Sequence, residues 1–232
     1  MKKIQDRKVQ VLKHIVEEYL KTGEIMGSKS LLLKYDLQVS SATIRNDMMS
    51  LEKMGLIFQP YNSAGRLPTT RGLRVFVDYL METMPGVFLE AEQEYNKRIQ
   101  DERIDDVLYG LVARLTKITG EITFAAIPSL GTSYYLGLSS YLERHKGILG
   151  EEMYQVIKCL ENKHQFLDVL DGLDIGSRVS AFIWEENIIP ELETSTMIVK
   201  KIEVNGYSWY LGILGSTMMD YAFNITALRQ VL

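Results

Sequence analysis

Residues 40–47 read SSATIRND and place three hydroxyls, a guanidinium and a carboxamide within about two helical turns. Short hydroxyls allow a helix to approach a phosphodiester backbone and bond its oxygens. The Arg45 guanidinium matches a phosphate or the two acceptors of guanine, and the Asn46 amide matches adenine. A second polar group follows at Asn62, Ser63, Gly65 and Arg66, in a turn-rich stretch. A cation on such an exposed turn is expected to touch phosphates or to enter the minor groove. Arg71 and Arg74 would extend the basic surface. The plainer alternative makes Ser40 and Ser41 helix caps and the arginines solvated surface charges.

Other chemistry finds little support. No glycine-rich phosphate loop is present, and Gly212 to Gly215 lack the Lys-Ser/Thr such a loop requires. His14, His145 and His164 are scattered; Cys159 and His164 are the one nearby Cys/His pair, too few for a zinc site. Glu185 and Glu186 adjoin at a strand end, where neighbouring side chains point opposite ways. No enzymatic activity, cofactor or metal is expected. Phe124, Tyr134, Tyr135, Phe182 and Trp209 could line a small-ligand cavity, but aromatic residues of this kind are more often core.

The elements that must position the polar residues are legible from periodicity. Val9, Leu12, Ile15, Val16, Tyr19 and Leu20 form one face of a helix over about 6–21, stopped by Thr22-Gly23. Ser28 is expected to cap a second helix that buries Leu31 and Leu32. Ser40 is the expected N-cap of a third, whose core stripe is Ile44, Met48, Leu51 and Met54 before Gly55 ends it. A short strand over 56–60, the turn over 61–66 and a helix capped by Thr69-Thr70 follow, the last burying Leu73, Phe76, Val77 and Leu80. Three helices and then a β-hairpin is the order of a winged helix-turn-helix, in which the third helix enters the major groove.

The charge is unevenly distributed. Residues 1–85 carry 13 Lys/Arg against 9 Asp/Glu, a net of +4, while residues 86–232 carry 13 against 21, a net of −8. A basic module on an acidic body suggests an anionic partner for the first part alone. Apolar runs are far too short to cross a membrane, and the first residues hold no apolar signal core, so a cytoplasmic location is expected. The single cysteine, Cys159, excludes an internal disulfide and is expected to be a buried thiol.

Pro85-Gly86 marks a boundary. The expected organisation is a winged helix-turn-helix over 1–85, a solvated linker helix over 86–103 and an α+β domain over 104–232. In the last, a helix over 104–119 carries Val107, Leu108, Leu111, Val112, Leu115 and Ile118 and ends at Gly120. Strands are expected over 122–127 and 179–184, with helix between about 151 and 173, broken near Asn162. Residues 129–141 fit no single element. Asn205-Gly206 joins strands over 196–204 and 208–214 as a two-residue hairpin, and a helix over 219–232 follows. An antiparallel sheet covered by helices is the economical architecture.

The run from Gly27 to Asp78 resembles the N-terminal domain of the heat-inducible transcription repressor HrcA family. Its hallmark pieces stand here as Gly27-Ser28, Ser40-Ser41-Ala42-Thr43-Ile44-Arg45-Asn46, Leu51-Glu52, Gly55, Gln59-Pro60, Ser63-Ala64-Gly65-Arg66 and Pro68. Farther on, Arg114-Leu115-Thr116 with Thr119-Gly120, Trp184-Glu185-Glu186-Asn187, Gly212-Ile213-Leu214-Gly215 and Met219-Asp220-Tyr221-Ala222 resemble the family's second, GAF-like domain. The resemblance implies a repressor of chaperone operons that binds an inverted-repeat operator, the CIRCE element, through the third helix and the wing. The candidate DNA-contacting residues are Ser28, Ser40, Ser41, Thr43, Arg45, Asn46, Asn62, Ser63, Arg66 and Arg71. Control by the chaperonin is likewise implied by the resemblance alone.

Two departures stand out. Ser216 and Met218 replace the proline and arginine usual in the C-terminal signature. The inserted dimerising domain of the family has no room between Pro128 and the 134–141 region. An inverted repeat needs two readers related by a two-fold axis, so a homodimer is expected through the linker helix or the GAF-like domain. Two alternatives remain: a regulator of the same architecture that senses a small ligand, and a protein-interaction module that has lost operator binding.

Overall fold

In the computed structural model, which describes residues 6–35, 37–83, 104–144, 150–176, 178–204 and 207–231, the chain divides into two units, Met1–Thr83 and Met84–Leu232. The expected linker helix over 86–103 lies outside the described residues.

The first unit follows the expected order of elements. Helices α1 (Asp6–Thr22), α2 (Ser28–Lys34) and α3 (Ser41–Lys53) precede a small antiparallel ribbon, β1 (Ile57–Phe58) with β2 (Leu67–Pro68), and then α4 (Thr70–Thr83). Ile57 faces Pro68 and Phe58 faces Leu67 across the ribbon. The core collects Leu12, Ile15 and Val16 of α1, Leu31 of α2, Ile44, Met48 and Leu51 of α3, and Leu73, Phe76, Val77 and Leu80 of α4. Periodicity identified most of these.

Three details of this unit differ from the sequence expectation, and a fourth, at Glu18, was not foreseen. Val11 is buried where Tyr19 and Leu20 are only half-buried, so the core stripe of α1 sits slightly rotated. Leu32 and Met54 are half-buried. The N-cap of α2 is Gly27 with no side-chain cap, and Ser28 is the first helical residue. Glu18 is buried on α1, where it accepts hydrogen bonds from Lys34 and, at 3.1 Å, from the Tyr35 hydroxyl. That bonding, Lys34 above all, holds its carboxyl below the usual range. A buried charge is tolerated here only because α2 and its C-cap supply the partners.

The second unit is a five-stranded antiparallel sheet between helices. Helix α5 (Ile104–Thr119) leads into β3 (Ile122–Ile127), β4 (Thr132–Leu136) and α6 (Leu138–Arg144). Helices α7 (Gly150–Glu161) and α8 (Lys163–Asp171) meet at Asn162, where the sequence suggested a break. Then come β5 (Ser180–Ile183), β6 (Ser195–Val204), β7 (Tyr207–Ser216) and α9 (Tyr221–Val231). The strand order is β4-β3-β7-β6-β5. Residues 129–141 resolve into a 3₁₀ turn, β4 and α6. The step from β3 to β4 occupies residues 128–131, with Ile127 facing Thr132. Strands β6 and β7 pair from Ser195–Ser216 to Val204–Tyr207, which leaves two residues, 205–206, for the hairpin connection.

Alternation along the strands divides two cores. Phe124, Met197, Val199, Tyr210 and Leu214 meet Phe166, Leu170 and Cys159 of α7 and α8. Thr123, on the opposite face of β3, donates through Oγ1 to the Val112 carbonyl of α5 at 3.0 Å. Trp209, Leu211 and Ile213 share that second face and are fully buried. On α5 the position expected for Ile118 is exposed and Thr119 is buried instead. Its hydroxyl donates to the Leu115 carbonyl at 2.9 Å, which lets the helix end stay polar inside.

Candidate nucleic-acid interface

The N-terminus of α3 is fixed by Ser40, whose Oγ accepts a hydrogen bond from the Thr43 amide at 3.1 Å. The Thr43 hydroxyl stands 2.9 Å from the same oxygen. Ser28, at the start of α2, lies with its Oγ 3.4 Å from Ser41 Oγ. The first turns of two helices and four hydroxyl residues, Ser28, Ser40, Ser41 and Thr43, thus come together. Helix N-termini with nearby hydroxyls favour anionic oxygens.

Beyond this cluster, Ile44 is buried and Arg45 and Asn46 are exposed. The stripe opposite the core runs Ala42, Arg45, Asn46, Met49 and Lys53, all exposed, with Met49 at 43 %. Steps of three and four put them on one face. Ala42, Met49 and Lys53 were missed in the sequence, although continuing the same offsets from Arg45 would have found them. Methyl groups such as that of Ala42 suit contact with thymine. Asp47, in contrast, is buried, and its carboxylate accepts from Arg7 at 2.6 and 3.1 Å. That bond raises the Arg7 guanidinium above its usual range and ties α1 to α3.

The wing corrects one expectation. Arg66 does not sit on an exposed tip. Its side chain is 14 % exposed and donates to Glu52 Oε2 through Nη2 at 2.9 Å and Nε at 3.2 Å. Its backbone pairs with Met26, N–H to O at 2.8 Å one way and 3.1 Å the other. A side chain at Gly65 would put its Cβ 2.3 Å from the Met26 carbonyl oxygen, so only glycine fits this crossing. Gly65-Arg66 is therefore the base of the wing, joined to α3 and to the α1–α2 loop. The tip is Tyr61, Asn62 and Ser63, all exposed, with Ser63 at φ 67°. Tyr61, 65 % exposed, is a tip residue that sequence reasoning missed.

Arg71 is exposed at the first turn of α4. Arg74 is half-buried and pairs with Asp78 at 2.9 Å, so it is not simply part of a basic surface. The structure brings Ser28, Ser40, Ser41, Thr43, Arg45 and Asn46 to adjoining turns, puts Asn62 and Ser63 at the wing tip, and assigns Arg66 a bracing position.

Among its described residues the second unit offers no comparable constellation. Cys159 is buried, which pushes its thiol up to about 12, while His164 is exposed, so the two do not form a site. Among the described residues no three His, Cys, Asp or Glu side chains gather as a metal site. Phe124 and Trp209 are buried on opposite faces of the sheet, Tyr135 is partly exposed, and Tyr134 donates to Asp105 Oδ1 at 2.8 Å. These aromatics do not converge on one cavity. Among the described residues no helix is long and apolar enough to cross a membrane.

The family profile described as HrcA protein C terminal domain matches residues 40–225. The heat-inducible transcription repressor HrcA of Clostridium perfringens strain SM101 is 43 % identical over 126 residues, 50 % of this chain and 36 % of that protein. Its namesake from Alkaliphilus metalliredigens is 38 % identical over 128 residues, 55 % of this chain and 37 % of that protein. The matched stretch spans little more than a third of the length of these curated relatives. A solved structure described as that of a hypothetical protein superposes with a TM-score of 0.75 at 20 % identity, covering 99 % of this chain and 96 % of the other. That likeness concerns the fold alone.

Proposed function

The chain belongs to the HrcA family, and from that premise we propose that it is a transcription repressor of heat-shock genes that binds double-stranded DNA. Helix α3 enters the major groove, with Arg45 and Asn46 toward base edges and Ser28, Ser40, Ser41 and Thr43 toward phosphates. Asn62 and Ser63 meet the DNA from the wing tip, and Arg71 meets a phosphate at the start of α4. Arg66 acts by holding the wing against α3.

One observation carries the reading. The face of α3 opposite Ile44, Met48 and Leu51 is exposed along Ala42, Arg45, Asn46 and Met49. A helix in this position with that exposed face, capped by hydroxyls, is the geometry needed for major-groove insertion. The net +4 charge of residues 1–85 favours the same partner. The operator is an inverted repeat and the working form a homodimer, since one copy reads one half-site. The chaperonin is the proposed partner that keeps the repressor competent. The protein acts in the cytoplasm and carries out no catalysis.

Fluorescence anisotropy with an inverted-repeat operator and a scrambled duplex, read beside the mass of the complex, tests this. The expected result is a preference of at least about a thousandfold for the operator, with two copies bound. Equal binding of both duplexes would leave the protein-interaction reading in its place.

A further inference from the structure

The second unit contains a cavity of about 350 Å³ where the end of α5, the start of β3, the end of β7 and the first turn of α9 meet. Glu121, Arg144, Met218, Met219, Phe223 and Asn224 line it. Two of these are buried polar residues. Glu121 is 7 % exposed, and its Oε2 has no hydrogen-bond partner; Arg144 Nη2 lies 3.6 Å away, too far for a charge-assisted hydrogen bond. Asn224 is 1 % exposed, and its Nδ2 is also without a partner. An acceptor and a donor thus stand unmet among the residues that line this cavity.

The surrounding chain makes room for them. A Cβ at Gly215 would lie 2.8 Å from Glu121 Oε2 and 2.7 Å from Met219 Cε. A Cβ at Gly120 would lie 3.0 Å from Arg144 Cζ. The guanidinium is anchored at the mouth by donating to the Gly120 and Thr119 carbonyls. Glycines are placed where a side chain would displace the carboxyl or the guanidinium.

We propose that this cavity binds a small zwitterion of the amino-acid class. Its ammonium meets the Glu121 carboxylate, its carboxylate meets Asn224 Nδ2 and the Arg144 guanidinium, and Met218, Met219 and Phe223 receive its side chain. Where Glu121 is ionised, above about pH 7, it repels a simple anion, and a simple amine leaves the Asn224 amide unmet. A ligand carrying both groups satisfies the two residues together. Binding at this cavity is tested without DNA.

The test is differential scanning calorimetry of the full chain with each of the common L-amino acids at about 10 mM, with n-butylamine and butyrate as half-probes. At least one amino acid is expected to raise the unfolding midpoint by about 2 °C or more, with neither half-probe doing so. Titration calorimetry is then expected to show a tenfold or greater loss of affinity in Glu121→Gln and in Arg144→Gln. Arg144 is 44 % exposed, so its variant remains a folded test even if Glu121→Gln fails to fold. No shift with any amino acid, an equal shift with a half-probe, or undiminished affinity in the variants would overturn the proposal.

Discussion

Arg66 Nη2 lies 2.9 Å from Glu52 Oε2, so the arginine of the wing is bound to the last turn of α3. The two elements proposed to meet DNA are thereby held in one geometry. A charge that the sequence offers as a DNA contact is already engaged within the protein.

Arg66→Ala is therefore expected to act through shape. Loss of the partly buried pair and of the contacts to the Ala64 and Gly65 carbonyls should cost about 1 kcal/mol of stability in the first unit. Operator affinity should fall, while the slope of log affinity against log salt changes little, because no phosphate contact is lost. Glu52→Gln should weaken binding in the same sense. A slope reduced by about one unit in Arg66→Ala would show instead that the guanidinium meets a phosphate.

Arg45→Ala removes an exposed side chain and should leave stability within about 0.5 kcal/mol of the parent. Operator binding should weaken by about 1–3 kcal/mol. A loss confined to the operator marks a base contact, and an equal loss on scrambled DNA marks a phosphate contact. Binding equal to the parent on both would remove Arg45 from the interface.

Ile44→Ser, one residue earlier, should do the reverse. Ile44 is fully buried, and truncation with a hydroxyl left inside should cost about 3–5 kcal/mol. Hydrogen exchange over residues 6–83 is expected to lose its protection, with operator binding lost as a consequence.

Asn187 should be as intolerant in the second unit. Its buried Nδ2 lies 3.0, 2.9 and 2.9 Å from the carbonyl oxygens of Trp184, Leu192 and Ser195, which share its two hydrogens. Trp184 is held at φ 53°, a left-handed conformation that costs a non-glycine residue about 1–2 kcal/mol. Asn187→Ala leaves the carbonyls unmet and should cost roughly 3 kcal/mol. Both tryptophans of the chain, Trp184 and Trp209, lie in this unit, so urea unfolding read by their fluorescence reports on it.

Glu121 supplies a pH signature. Burial pushes its carboxyl up to about 7, against the opposing pull of Arg144. The folded state then holds a proton that the unfolded state releases near 4.5, so this group's contribution is complete below about 4.5 and lost as pH rises to about 7. Glutamine does not titrate. The stability of Glu121→Gln relative to the parent should therefore rise by roughly 3 kcal/mol between pH 4.5 and pH 8. A flat difference would mean that Glu121 ionises normally in the fold.

The sequence by itself determined most of the described secondary elements and their order. Apolar residues at steps of three and four mark α3 and α4, and a two-residue connection was foreseeable at Asn205-Gly206; both signals are local, set by a single helix or hairpin. The same arithmetic shows the outward side of α3, because Ile44, Met48 and Leu51 fix what is opposite. Residues 129–141 lacked such a period, and only pairing with β3 made β4 of them.

Only the tertiary structure decided which polar residues are already engaged. Arg66 and Arg45 look alike in the sequence, yet one is bound to Glu52, fourteen positions away, and the other is exposed. Asp47 and Glu18 are buried because Arg7, Lys34 and Tyr35 bond to them. Glu121, Arg144 and Asn224 share a cavity although they are spread over a hundred residues of chain. Periodicity carries which face a residue takes within its own element. The partner of a charge comes from whichever distant element the fold sets against it, and that partner decides whether the charge remains available to a ligand.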